Sequence, residues 1–376
     1  MKEVEIRPTY YDKFKCSADK CLYSCCIHWN IAFDDKTIEK YANIEDEEFC
    51  EYVLNNISPA TKKATLKKGY CPFLDTDSLC KIQKKCGEEY LCDTCKSFPR
   101  TRRTLGNIIK KDILISCPEV LKIIRNEKVF SDNYIVETND KEWELLQLGI
   151  DNKKYFIELF NKLKFLYEQK YDYKKSMFVL LNFAEDCTNL IKKKSDKNFK
   201  TFKEKFNEEY FTSLAKQYNH KKDISIVNKF QKELFSFADK HLLNKRMYIP
   251  LETYNSLNFT DKSTIKQNQK AVKMADKLFN LKNLLFYIIN ITITDSIKYT
   301  DFLSNVKFAV LIVLFINLFA ITQQDITKQR TNNNLLTLAT CLFRSTFHAK
   351  FYDNIEESLS DKTLSTKNLI DFITSF

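Results

Sequence analysis

The sequence predicts a mainly α-helical protein, with a loop-rich, cysteine-dense, metal-binding module over residues 1–130 and a helical body over residues 131–376. Three observations predict it. All four glycines (Gly69, Gly87, Gly106, Gly149) and five of the six prolines precede residue 151, so beyond Gly149 only Pro250 interrupts a chain that can remain helical. Apolar residues recur there at helical spacing. Eleven of the thirteen cysteines fall before residue 118, leaving only Cys187 and Cys341 beyond.

At 376 residues, 44% of them hydrophobic, the chain is long enough for two to three domains with cores of their own. Met1-Lys-Glu-Val-Glu alternates charge with apolar residues and lacks the apolar stretch of a secretory leader, so a cytoplasmic location is expected. Thr104 to Ser116 reads as a hairpin around Gly106-Asn107, its second strand ending in Ile113-Leu-Ile115. No large core is evident in this first region, so a metal centre is expected to supply part of its folding energy.

In the second region Phe156, Leu159, Phe160, Leu163 and Leu166 form one apolar stripe, and Leu180, Leu181, Ala184, Cys187, Leu190 and Ile191 a second. Ala275, Leu278, Phe279, Leu285 and Ile288 form a third, and all three read as the core-facing sides of helices. Lys-rich joints near Ser195 and Lys221 separate helical stretches. The most apolar run, Phe308 to Ile321, is 14 residues long and broken by Asn317. That is short for a bilayer and suits a buried helix, so no membrane span is expected. The net charge of +11 is spread along the chain without an Arg-rich stretch, which suits a solvated lysine surface and argues against a nucleic-acid partner.

Thirteen cysteines in a large chain without a leader point to metal or redox chemistry and away from a disulfide scaffold. A single cysteine can pack as a small hydrophobe, but that reading does not explain so dense a set. The first group is Cys16-x4-Cys21-x3-Cys25-Cys26-x2-Trp29, in which one short loop presents several sulfurs. Thiolates of this kind hold iron–sulfur clusters and structural zinc alike. The second group runs Cys71-Pro-Phe-Leu-Asp75, Leu79-Cys80-Lys-Ile, Gly87-Glu-Glu-Tyr-Leu, Cys92-x2-Cys95 and Phe98-Pro-Arg100, followed by Ser116-Cys117-Pro-Glu119.

These motifs, with Asp34 five residues after Trp29, resemble the flagellin lysine N-methylase family over residues 8–120, and more weakly at Phe343-Arg344-x3-His348. The first segment also resembles the broader zinc- or iron-chelating cysteine-cluster proteins. The resemblance implies methyl transfer from S-adenosylmethionine to lysines of flagellin, with a [4Fe–4S] cluster involved. The metal-ligating positions it implies are Cys16, Cys21, Cys25, Cys26, Cys71, Cys80, Cys95 and Cys117, with zinc as the alternative metal. Cys50, Cys86 and Cys92 stand outside the pattern, and Cys187 and Cys341 sit in helical stripes as core. A non-catalytic chelator is the alternative function that the broader resemblance would support.

Two absences constrain the chemistry. No Gly-rich strand–turn–helix is present to hold the cofactor as in Rossmann-type methyltransferases. The C-x3-C-x2-C triplet of radical enzymes is also missing, because His28 stands where its third cysteine would be.

Arg344 and His348, four residues apart on a helix, share a face and could contact a carboxylate of the cofactor. His28 could ligate metal or donate to a sulfur, while His220 and His241 read as surface. Lysine reacts as the neutral amine, and Asp34, Asp75, Glu88, Glu89 and Tyr90 are candidates for taking its proton. Arg100 could pair with a carboxylate or with the thiolates.

Overall fold

The computed structural model describes residues 4–27, 31–105, 108–130, 134–137, 150–192, 196–221, 223–238, 265–299, 302–322, 328–347, 359 and 362–375. The expected hairpin is present as β2 (Arg100–Leu105) antiparallel to β3 (Ile108–Ile113), with its Gly106-Asn107 turn outside the described residues. It belongs to a larger sheet. β1 (Val4–Pro8) lies parallel to β3 and antiparallel to β4 (Tyr134–Glu137), giving the order β2-β3-β1-β4. The parallel neighbour is more than 90 residues away in sequence, a pairing that hairpin signals cannot reveal.

Residues 31–95 form a small lobe with a core of its own, which the sequence reading did not anticipate. Helices α1 (Asp35–Ala42) and α2 (Glu47–Asn55) start at Asp34 and Asp46, whose carboxylates accept from the backbone N–H groups of Thr37 and Phe49. They bring Tyr41, Phe49 and Val53 against Ile31, Phe33, Phe73 and Ile82. Phe33 meets Tyr41 and Phe73 edge to face at 5.8 and 6.1 Å. Short elements with irregularly placed aromatics carry no periodicity, so this core was hidden in the sequence.

The second half is helical as expected: α6 (Ile150–Glu168), α7 (Tyr173–Lys192), α8 (Asp196–Lys205), α9 (Glu208–Gln217) and α10 (Ile224–Ala238). They are followed by Ile265–Phe279, Leu281–Tyr299, Phe302–Thr322, Lys328–Phe347 and Thr366–Ser375. The stripe residues Leu159, Leu163, Leu180, Ala184, Cys187, Ala275, Leu285 and Ile288 are all buried in one large core. That core also takes in Ile113, Ile115, Cys117 and, from α5 (Pro118–Asn126), Val120, Leu121 and Ile124. The cysteine-bearing segments therefore rest on the helical body.

The apolar run expected to be too short for a bilayer extends back to Phe302. The resulting helix is long and apolar enough to cross a membrane by length and composition, and 89% of its apolar window is buried within the fold. Its Asn317 is buried and donates to the Tyr173 hydroxyl at 3.5 Å.

A polar seam joins helix Leu281–Tyr299 to the first half. Buried Asn283 donates to the carbonyls of Ile124, Arg125 and Glu127 at 3.0, 3.3 and 2.8 Å, satisfying the C-terminal end of α5. The Tyr287 hydroxyl donates to the Ile113 carbonyl, and Lys110 donates to the Asn290 carbonyl at 2.7 Å.

Candidate metal centre

Local backbone bonds set the cysteines in place. Cys16 and Cys21 flank a turn at Ala18–Lys20, where the Cys21 N–H closes onto the Ala18 carbonyl at 3.1 Å. Ile27 bridges to Tyr70 and the Cys71 N–H donates to the Cys26 carbonyl at 2.8 Å, so these two sulfurs sit side by side. Cys80 bridges to Leu74 and immediately precedes α3 (Lys81–Cys86). Cys92 immediately precedes α4 (Asp93–Ser97), which carries Cys95 in its first turn, and Cys117 immediately precedes α5. All thirteen cysteines are free thiols.

These thiols fall into two neighbourhoods that overlap at Cys25, which acts on Cys71, Cys80 and Cys95 as well as on Cys21 and Cys117. Cys71, Cys80, Cys92 and Cys95 all lie within electrostatic reach of the Tyr41 hydroxyl, a residue only 1% exposed, and all pack in or against the small lobe's core. Cys21 has Cys25 and Cys16 beside it, and Cys117 has Cys21 and Cys25.

Cys25, a member of the Cys16–Cys21 set, and Cys26 link the two sets in a relay. The Cys25 thiol donates to Cys26, which donates in turn to Cys71. Donation to Cys26, together with burial, holds the Cys25 thiol far above its usual range. Cys26 accepts from Cys25, but its own donation to Cys71 and its burial push it up to about 12. Cys71, at the accepting end, is lowered.

Cys92 and Cys95 behave likewise: the Cys95 thiol donates to the Cys92 sulfur, so Cys92 shifts down and Cys95 up. Burial raises Cys80 and takes Cys117 up to about 12. The backbone N–H groups of Gln83 and Ile82, and of Val120 and Glu119, oppose this at longer range than a capping hydrogen bond. Among the described residues no three His, Cys, Asp or Glu side chains are placed to hold a bare metal ion.

One residue from the far end of the chain fixes the first loop. Arg344, 8% exposed, donates from Nη2 to the Tyr23 carbonyl at 3.0 Å and from Nη1 to the carbonyls of Ser24 and Ile27 at 2.8 and 3.1 Å. Its Nε donates to the Ser116 carbonyl at 3.2 Å. These carbonyls flank the Cys25–Cys26 pair and precede Cys117. The Tyr23 hydroxyl and the Cys341 thiol are hydrogen-bonded one helical turn before Arg344. The carboxylate-binding role expected of Arg344 is therefore not what its donors serve here, and its expected partner His348 lies outside the described residues, as do His28 and His241. His220 is exposed, as expected.

The other candidates are occupied structurally. Asp34 caps α1, taking both the N–H and the hydroxyl of Thr37, which hold its carboxyl below the usual range. Asp75 pairs with Lys84 at 2.7 Å on the surface. Glu88, Glu89 and Tyr90 form a single turn whose Glu89 carbonyl accepts from Lys40 and Lys96 at 3.1 and 2.9 Å. Arg100 stacks over Tyr11 and Phe14, at 5.6 and 5.1 Å, and reaches no thiol.

Cys50 donates to the Tyr41 carbonyl at 3.2 Å and stays outside both thiol sets. Cys92, read from the sequence as standing outside the motif pattern, lies beside Cys95 in the small lobe's core. The places of Tyr41 and Tyr23 among the thiols had no sequence signal.

A flagellar biosynthetic protein FliU from Salmonella muenchen is 35% identical to the chain over 136 residues, a match that covers 80% of that protein and 34% of this chain. The chain belongs to the flagellin lysine N-methylase family. Two members named lysine-N-methylase, from Salmonella typhimurium and Salmonella choleraesuis, are each 34% identical over 136 residues. Here the match spans about a third of each partner, 34% of this chain and 34% of the relative. No family model and no solved structure matches the chain.

Proposed function

We propose that this family member transfers methyl groups from S-adenosylmethionine to lysine side chains of flagellin in the cytoplasm, and that its first thiol set carries a [4Fe–4S] cluster. The observation that carries the reading is the coincidence of two things: relatives named for lysine N-methylation, and a gathered array of thiols without disulfides on the N-terminal part of the chain.

The donor set suits such a cluster. Cys16, Cys21 and Cys25 share one loop, and Cys117 is the sulfur from the later segments that stands beside two of them. Four thiolates saturate one [4Fe–4S] cluster, and sulfurs that sit near one another without meeting at a point suit a multi-iron group better than a lone zinc ion. When bound, the cluster supplies an electron-rich metal surface beside which the cofactor can be held. The chain's own residues hold the loop: Arg344 fixes the carbonyls around Cys25 and Cys26, and of the four thiols Cys117 is buried while Cys16 is exposed.

Lysine must lose its proton before it attacks the methyl group, so the reaction should accelerate with rising pH toward the amine's range. The full chain, purified without oxygen and given S-adenosylmethionine, should add 14-dalton increments to lysines of flagellin from the same cells, read by mass spectrometry, one methyl per increment. Flagellin lysines left unmodified by a cluster-loaded chain would overturn the substrate. A non-catalytic chelator is separated by calorimetric titration, because it would take up metal and ignore S-adenosylmethionine.

A further inference from the structure

We infer that Lys63, Lys67, Lys68 and Tyr70 form a docking surface for an acidic segment of a protein partner. The inference rests on the proposed function only in taking the partner to be a protein. Its test is binding, into which methyl transfer does not enter.

Residues 56–70 contain four lysines and no aspartate or glutamate. Within them Ala64 is 4% exposed and Leu66 is half-buried against the small lobe's core, whereas Lys63, Thr65 and Lys67 are exposed. That two-residue alternation is what extended backbone with one face on a core produces. Backbone pairing agrees with it: Lys63 bridges to Ala32 and Ala64 to Ile57, while the Ser58 N–H donates to the Lys63 carbonyl at 2.9 Å. Lys63 and Lys67 therefore share the outward face.

The chain then reverses on itself. The Lys67 N–H donates to the Tyr70 carbonyl at 2.9 Å and the Tyr70 N–H to the Lys67 carbonyl at 3.0 Å. Between them Lys68 and Gly69 have φ of 50° and 85°, the left-handed pair that a tight two-residue hairpin requires. Lys68 is thus held at the tip. Tyr70 follows it at 48% exposure, the large hydrophobic side chain left at the surface among the described residues. A surface whose backbone is already fixed loses little freedom when a partner binds.

Its charge says what it fits. Lys62 pairs with Asp35, but among the described residues no carboxylate pairs with Lys63, Lys67 or Lys68. Three ammonium groups beside one exposed ring suit carboxylates flanking an apolar side chain. Single-stranded nucleic acid is instead held on several rings, one for each of successive bases, and this surface offers one. Tyr70 also bridges to Ile27, and the Cys71 N–H donates to the Cys26 carbonyl, so the surface adjoins the Cys25–Cys26 pair. A partner held there lies alongside the first thiol set.

The test is fluorescence polarisation of the full chain with two labelled peptides, one of glutamates alone and one with a phenylalanine among the glutamates. Lys63→Gln, Lys67→Gln and Lys68→Asn combined should weaken both by roughly tenfold, the effect of three exposed ion pairs together. Asparagine suits the left-handed backbone at position 68. Neutralising the exposed Lys203, Lys216 and Lys221 of the helical body removes the same net charge and should leave both affinities near those of the parent. Tyr70→Ser should abolish the preference for the phenylalanine peptide and keep binding of the other. Equal losses in the two triple variants would overturn the surface, because net charge alone would then explain binding. Single-stranded DNA bound as tightly as either peptide would overturn the choice of a protein partner. Carbodiimide joining of the glutamate peptide to the unmodified chain needs no variant: attachment should map to Lys63, Lys67 or Lys68, and attachment only elsewhere would overturn the surface. Failure of methyl transfer would leave each of these readings unchanged.

Discussion

Arg344 meets Tyr23 twice, donating to its carbonyl at 3.0 Å and placing the guanidinium 4.5 Å from the centre of its ring. The planar fork serves four backbone carbonyls on two separate segments, which an ammonium on a flexible stem cannot reproduce. Arg344→Lys should therefore leave part of this set unsatisfied and cost roughly 3 kcal/mol in urea unfolding, since each orphaned buried acceptor costs about 1–3 kcal/mol. Iron per chain should fall with it. A lysine variant with unchanged midpoint and unchanged iron would mean that the fork is dispensable.

Asn283 concerns the seam between the halves and should behave differently. Asn283→Ala frees the Ile124 and Glu127 carbonyls and the Tyr167 hydroxyl, leaves the Arg125 carbonyl to Asn280 and touches no thiol, so stability should drop by about 1–3 kcal/mol while metal content stays near that of the parent chain. Thermal unfolding beside an iron assay checks both halves of that statement.

Asp276 gives a pH dependence of definite sign. Burial raises its carboxyl above 3.8, outweighing the Leu281 N–H that its side chain accepts at 2.9 Å. The folded chain therefore binds this proton more tightly than the unfolded one, and the associated stability is present below the unfolded value and lost as pH rises through the folded value. Asp276→Asn keeps an acceptor for Leu281 and removes the titration. The variant should gain on the parent between pH 4 and pH 7 in urea midpoints, and an advantage that shrinks over that range would contradict the assignment.

The helix Phe302–Thr322 is apolar enough to mislead a hydropathy plot. With 89% of its window packed inside the fold, it should behave as a core helix, and the chain should remain in the supernatant when a lysate is cleared of membranes. Phe315→Ala should cost about 3–5 kcal/mol by opening a cavity. Recovery of the chain only with detergent would overturn this reading of the helix.

Much of the architecture was legible because helices announce themselves. Leu180, Ala184 and Cys187 recur at the helical period, and a stretch free of glycine lets that period persist. The hairpin was legible from local signals for the same reason. What stayed hidden depends on contacts between distant segments: β1 beside β3, Tyr287 on the Ile113 carbonyl, and Arg344 on the Cys25 loop. The cysteine pattern marked a region where thiols gather, but spacing along a chain does not say which sulfurs share a neighbourhood: Cys92, outside the motif pattern, lies within electrostatic reach of Tyr41.

The separation of 321 residues between Arg344 and Tyr23 has a consequence for biogenesis. A ribosome adds about 5–20 residues per second, so the first cysteine loop waits roughly 15–60 s before the arginine that fixes it has been made. During that interval the small lobe, whose core lies within residues 31–95, can already have closed. The order of synthesis thus places assembly of the Cys16–Cys25 loop last, after translation is nearly complete. Loading of the cluster proposed for that loop would accordingly be a task for the nearly finished chain.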